Sequence, residues 1–428
     1  MTRRVADILA VPIVSGFYTD DQAAIREGRT RDGFRYTGRP VTPGFHHVRQ
    51  PGEALSVLIV TDDGAVAHGD AASVQYSAAG GREGPLSAES ARELVESVVA
   101  PMLVGRKLGA FRPVAEAVEA LEGPGGEELP AAIRYGVSQA LLDAVAQARG
   151  LTMAEVVRDE WSTGASLRPV PIFAQSGDDR YTAVDKMILR EVDVLPHGLI
   201  NNVTEKLGED GERFKAYVAW VRERVMDTAV REIYRPVLHF DTYGTIGLAF
   251  GDIDAVAGYL VELEAIAAPL RLRIEHPVDA GSTEAQIEAL GGLRRRLAQR
   301  GSAVEIVADE WCNTLSDIRR FVSAGAADVI HVKTPDLGGI GNAVDALLLA
   351  RANGLGAYCG GTCNETDRSA QVSAHIAMAC DATQVLAKPG MGVDEGVMIV
   401  ANEMARAAAL SARHAAAPLG DRETATDG

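Results

Sequence analysis

Three carboxylates and one lysine, each closing a short apolar run, are spaced through the second half of this 428-residue chain: Asp241 in VLHFD, Glu275 in LRIE, Asp309 in EIVAD and Lys333 in VIHVK. The intervals are 34 (275 − 241), 34 (309 − 275) and 24 (333 − 309) residues, close to one strand and one helix apiece. Such a period brings the four side chains to one end of a parallel barrel, the end where barrel chemistry is carried out. Any one of them alone fits a capped loop or a surface ion pair. Four at successive strand ends read instead as a metal site beside a base. Three carboxylates suit a hard divalent cation such as Mg²⁺ and leave positions for water and a substrate carboxylate.

Lys333 follows His331 by two residues, so both share one face of their strand. A lysine inside a barrel is read as a base whose pKa is lowered by desolvation and a neighbouring cation; the alternative is a lysine that only neutralises the carboxylates. His197, in VLPHGLIN, sits just before the expected second strand. From there it would face Lys333 across the cavity, giving two bases on opposite faces of a substrate, although a lone histidine is more often packed or at the surface. Gln175 and Gln75 offer amides for a carboxylate, a role a single glutamine does not establish. The stretch YCGGTCNET, 358–366, brings glycines, hydroxyls and backbone N–H groups together as an anion-binding concavity or as an ordinary glycine-rich turn. GGIG at 338–341 lacks the GK[ST] ending of a phosphate loop and reads as a turn leading into a helix.

Eight apolar runs must position these residues: 171–175, 198–203, 237–241, 272–275, 305–309, 329–333, 357–360 and 384–388. Between them lie amphipathic stretches such as GERFKAYVAWVRERVMD, DAVAGYLVELEAIA, EAQIEALGGLRRRLAQ and NAVDALLLARAN, with MIVANEMARAAALSAR after the last. The pattern is that of an α/β chain forming a β/α barrel. Residues 1–160 differ. A hairpin pattern at 52–76 turns at Asp62-Asp63-Gly64, and two helical stretches follow, the second stopping on Gly150. The expected division is an N-terminal α+β domain (1–160), a barrel (161–414) and a disordered tail (415–428).

A 47% apolar composition supports a large core, and a net charge of −17 disfavours nucleic acid. No apolar stretch is long enough for a signal segment or membrane span, which points to a cytoplasmic protein with no membrane partner. Four cysteines without a CxxC pair predict reduced thiols, with zinc at Cys359 and Cys363 an unfavoured alternative.

Long phrases carry a specific resemblance from about residue 5 to 410. SGFYTDDQ, DGFRYTG, VAHGDAASVQYS, FAQSGDDRY, VLPHGLINNVTEKLG, VADEWCNT, KTPDLGGIG, GAYCGGTCNET and LAKPGMGVDEG resemble methylaspartate ammonia-lyases of the enolase superfamily. The resemblance implies an N-terminal α+β capping domain over a modified (β/α) TIM-type barrel. It also implies reversible loss of ammonia from (2S,3S)-3-methylaspartate to give mesaconate, through an enolate-like intermediate, as part of amino-acid metabolism. By that resemblance Asp241, Glu275 and Asp309 hold Mg²⁺, with Mn²⁺ or an added monovalent cation such as K⁺ also compatible. Lys333 takes the proton of the S-configured centre and His197 serves its epimer. Gln75, Gln175, Tyr358, Thr362 and Cys363 line the pocket around an amino-dicarboxylate substrate, and the protein is a homodimer. Two positions depart from the pattern: His331 stands where the family has glutamine, and His276 where it usually has glycine. An imidazole cannot donate and accept from one planar group as an amide can, and a side chain at 276 would narrow the pocket, so both point to altered substrate scope. Other enolate chemistry, such as dehydration or racemisation of a carboxylic acid, and a catalytically silent ligand-binding homologue are the competing readings.

Overall fold

The computed structural model describes residues 3–228 and 233–416. Its first element was not legible in the sequence. Val5–Asp20 is a 16-residue strand, β1, antiparallel to β2 (Arg49–Thr61), which pairs in turn with β3 (Val66–Ala72). β1 is an edge strand with a register shift between Val14 and Tyr18, and Leu9, Val11 and Val14 face outward. An edge tolerates Pro12, whose missing N–H costs no ladder bond there. The β2–β3 turn lies where expected, with Gly64 at φ 83°.

Helix α1, Ala131–Arg149, packs across this sheet and stops on Gly150 in the left-handed conformation, as the sequence predicts. The packing is close. A Cβ on Gly69 would lie 2.4 Å from the Ala140 backbone nitrogen, and one on Gly136 2.5 Å from that of Ala71, so only glycine lets helix and sheet approach.

The second half closes into a parallel eight-stranded barrel in sequence order: β4 (Ile172–Phe173), β5 (Val194–His197), β6 (Val237–Asp241), β7 (Leu272–Glu275), β8 (Glu305–Ala308), β9 (Val329–Val332), β10 (Gly356–Cys359) and β11 (Gln384–Leu386). Seven of these fall within a residue or two of the expected runs. The second does not: the strand is Val194–His197, and 198–203 is the loop after it. Val194 and Leu195 are buried and pair with Val237 and Leu238. His197, Gly198 and Leu199 all have positive φ, so the chain leaves the extended conformation where the second apolar run begins. His197 therefore ends strand two rather than preceding it, at the level of the other strand ends.

One apolar cluster runs continuously from the cap sheet and α1 into the helices around the barrel, while a small separate one, Phe173, Val194, Val307, Val329, Tyr358 and Leu386, fills part of the barrel interior. The closing helix Val393–Ala416 extends two residues into the expected tail; residues 417–428 lie outside the described residues. No helix among the described residues is long and apolar enough to cross a membrane.

Cap and barrel are also joined by buried polar contacts at the loop after β10. Gly16 N–H donates to the Glu365 carbonyl at 2.9 Å, Asn364 Nδ2 to Ser73 O at 2.9 Å, and Thr366 Oγ1 to Asp70 at 2.7 Å. Beneath them Lys388, fully buried, donates to Glu365 at 2.7 Å and to Gly360 O at 2.7 Å, and Tyr135 of α1 donates to the other Glu365 oxygen at 2.8 Å.

Candidate active site

β6 and β7 end on Asp241 and Glu275, which stand as direct register partners; Asp309 and Lys333 follow one residue beyond β8 and β9. The three carboxylates are buried, and the Lys333 side chain is 12% exposed. Lys333 Nζ lies 2.7 Å from Asp309 Oδ1 and 4.0 Å from Glu310. His197 Nε2 is 3.4 Å from Asp241 Oδ2. Lys333, His197, Asp241 and Glu310 line a cavity of about 50 Å³ that also takes Val74, Gln75, Tyr76 and Arg82 from the cap. A larger hollow of about 620 Å³ is lined by residues from 73–94, 128–134 and 313–336, but it contains none of His197, Asp241 and Lys333.

Glu275 is the most enclosed group. His331 Nδ1 meets one carboxylate oxygen at 2.7 Å, His239 Nε2 the other at 2.7 Å, and the Tyr358 hydroxyl donates to both, at 3.1 and 2.8 Å. Burial alone would raise the Glu275 carboxyl, but His331 and His239 outweigh it and hold the group well below the usual range. Asp309 is likewise raised by burial but lowered overall by Lys333, His331 and Arg82. Asp241 goes the other way, pushed well above its ordinary value by burial and then by Glu275, Glu310 and Asp309.

The expectation of a lowered Lys333 pKa rests on a bound cation as well as on burial, and the protein's own charges act the other way. Burial and Arg82 do push it down, but Asp309, Glu310 and Asp336 prevail and hold the amine above the usual lysine value. His197 is lowered to about 4, chiefly by burial, and is neutral around pH 7; its Nδ1 is buried without a hydrogen-bond partner.

Among the described residues, the group whose ligand atoms lie within 4.8 Å of one another is Glu275, Asp309 and His331; Asp241 falls outside that set and turns toward His197. The oxygen-rich donor set and the like charges that raise Asp241 suit a divalent cation. The four cysteines are free and buried, and no cysteine belongs to that group.

The remaining expected residues divide. Gln75, Gln175, Tyr358, Thr362, Cys363 and His331 all line the cavity. Gln75 donates to Asp20 at 3.0 Å, and Gln175 is anchored to Gly390 O at 3.0 Å. The concavity expected at 358–366 is not open to an anion. The N–H groups of Gly360, Gly361, Thr362, Asn364 and Glu365 already donate to Val332 O, His331 Nε2, Glu365 Oε2, Thr362 Oγ1 and Thr362 O. His276 does not line or narrow the cavity. It is buried behind Glu310, with Nδ1 3.1 Å from Glu310 Oε2, an approach whose geometry leaves both atoms without a hydrogen bond. Its φ of 47° explains why glycine is at ease there. His331 fits only because residue 360 is glycine, whose Cβ would sit 2.0 Å from its Nε2.

Several residues were missed. His239 and Arg273 stand two positions before Asp241 and Glu275, so strand alternation alone directs them into the same interior. Arg82 had no such signal. It enters from the cap with its side chain buried and pairs with Asp309 at 3.3 Å, Glu310 at 3.3 Å and Asp336 at 2.6 Å.

Comparison with known proteins agrees with this geometry. The families described as methylaspartate ammonia-lyase N-terminus and C-terminus match residues 3–162 and 164–413. The chain belongs to the methylaspartate ammonia-lyase family. It is 55% identical to the methylaspartate ammonia-lyase of Clostridium tetanomorphum, over 96% of this chain and 99% of that one. The crystal structure of that organism's beta-methylaspartase in its Mg complex superimposes with a TM-score of 0.91, covering 96% of this chain and 100% of that one. The Citrobacter amalonaticus enzyme containing (2S,3S)-3-methylaspartic acid, 50% identical, gives 0.94 with coverage of 96% and 100%. Muconate lactonizing enzyme from Pseudomonas fluorescens, 19% identical over 88% of this chain and 85% of that one, shares the fold at a TM-score of 0.59. The chain is thus an enzyme of a capped, enolase-superfamily barrel.

Proposed function

We propose that this enzyme removes ammonia reversibly from (2S,3S)-3-methylaspartate, or a close analogue, to give mesaconate. The observation that carries the reading is the convergence of Lys333, His197 and Asp241 on one cavity beneath the cap, with Glu275 and Asp309 buried directly against its lining residues His331 and Lys333. Asp241, Glu275 and Asp309 are the residues that would hold Mg²⁺. The bound cation supplies Lewis-acid stabilisation of charge developing on the substrate carboxylate and offsets the Asp309 charge that otherwise raises Lys333.

Lys333 is the base for the C3 proton of the S-configured centre, and neutral His197, on the neighbouring side of Asp241, is the base for the epimer. Gln75, Gln175, Thr362 and Cys363 orient the substrate, while the cap excludes water so that proton transfer is confined to these two side chains. His331 replaces an amide that the family resemblance places against substrate, so scope is expected to differ from that of 3-methylaspartate specialists. A cytoplasmic homodimer in amino-acid metabolism, with Mn²⁺ able to replace Mg²⁺ and K⁺ as a further cation, completes the reading.

The test is a screen of 3-methylaspartate, aspartate and N- or C3-substituted aspartates, followed by absorbance of the unsaturated diacid and by ammonia release, with and without Mg²⁺. Metal-dependent ammonia release is expected. Its absence from every aspartate analogue would sink the lyase reading.

A further inference from the structure

The floor beneath Glu275 is polar in a way that the ligand set does not require. Arg273, on the same face of β7 as Glu275, donates from Nε to Glu305 at 2.9 Å and from NH1 to Gln384 Oε1 at 2.6 Å. A guanidinium has only donors, so the Gln384 amide is turned with its oxygen to Arg273 and its nitrogen to His239. That nitrogen lies 3.1 Å from His239 Nδ1. An N–H aimed at Nδ1 requires a lone pair there, which puts the ring proton on Nε2, 2.7 Å from Glu275. Gln384, His239 and Glu275 are fully buried, and Arg273 is 4% exposed. The His239 ring is further held by stacking on Phe173, with ring centroids 4.2 Å apart and planes 10° apart.

Every link in this line has one possible direction, set by the arginine at its far end. The opposite oxygen of Glu275 is addressed in the same manner. His331 Nε2 accepts the Gly361 N–H at 3.1 Å, which leaves the Nδ1 proton for Glu275.

We propose that Gln384 is a positioning residue for the metal centre: turned by Arg273, it fixes the tautomer of His239 and thereby the orientation of the Glu275 carboxylate. The inference rests on Glu275 being a metal ligand. Partners of this kind usually alter metal affinity 10- to 100-fold when removed. Gln384→Glu has nearly the same shape and keeps an acceptor for Arg273, but its ionised form cannot donate to Nδ1. It separates hydrogen-bond direction from packing.

The experiment is titration of the full-length, metal-stripped protein with Mn²⁺, reading free Mn²⁺ by electron paramagnetic resonance. Gln384→Glu and Gln384→Met are expected to weaken binding about 10- to 100-fold. Ile274→Val, which loosens apolar packing on the outer side of β7, is expected to leave affinity within about 2-fold, so a general loss of rigidity is distinguished from loss of the relay. Wild-type affinity in Gln384→Glu, with binding lost in Glu275→Gln, would overturn the positioning role alone. Unchanged affinity in Glu275→Gln would overturn the reading of Glu275 as a ligand, and the positioning role with it.

Discussion

Asp241 and Glu275 are neighbours in register, equally buried, and chemically alike, yet their surroundings are opposite. Glu275 receives two imidazoles and a phenol and is held well below its ordinary pKa. Asp241 has the Tyr243 N–H at 3.2 Å and His197 at 3.4 Å, and its pKa is driven well up by burial and three other carboxylates. One carboxylate is charged in advance by the barrel floor. The other is left to respond to whatever positive charge arrives. The neighbour of Asp241, His197, has a buried Nδ1 without a hydrogen-bond partner.

The largest effect should come from removing the group both carboxylates serve. Lys333→Ala is expected to lower kcat by about 10³-fold on 3-methylaspartate while Mn²⁺ binding persists. Retained turnover would detach the two carboxylates from this base. Next, the two neighbours should part company when neutralised. Glu275→Gln is expected to weaken divalent-ion binding by about 100-fold and lower the melting temperature of chelator-treated protein, because the amide keeps one acceptor oxygen where His239 and His331 each need one. Asp241→Asn should also weaken the ion, but it should raise that melting temperature by relieving like-charge repulsion. Calorimetry of both variants shows whether the signs are in fact opposite.

The pH dependence of chelator-treated protein sharpens the same contrast. A raised pKa in the fold favours the protonated form, so Asp241 contributes stability below about pH 4 that is lost as pH rises through its folded value. The lowered Glu275 contributes above about pH 4 and loses its contribution as pH falls. Denaturant unfolding between pH 4 and 8 should therefore show Asp241→Asn flattening the loss on the alkaline side. The smallest expected change is in His331→Gln, which should shift kcat/KM for 3-methylaspartate relative to aspartate by about 10-fold or less, measured by diacid absorbance. No shift would make the imidazole a tolerated substitute.

The four charged strand ends were legible because a strand-helix repeat and an apolar run each leave a plain signal, and the barrel followed from them. The second strand was placed four residues late, since apolar residues flank His197 on both sides in VLPHGLI and only backbone angles tell where the extended chain stops. β1 escaped because an edge strand with an irregular register buries no steady alternation. His276 was read as lining the pocket because sequence adjacency to Glu275 says nothing of a backbone that swings the side chain behind Glu310. Arg82 was invisible, because its partners are more than 220 residues away along the chain.

The fully buried Lys388–Glu365 pair, with Tyr135 donating from the cap, limits how this chain could be recombined. A crossover near residue 163, where the two family regions meet, would look natural on paper. A foreign cap lacking that phenol would leave this Glu365 oxygen with only the long 3.4 Å hydrogen bond from Thr334 in a buried interior, a loss of up to roughly 1–3 kcal/mol. Chimaeras should therefore succeed according to one hydroxyl on the donor helix, more than according to overall likeness of the exchanged halves.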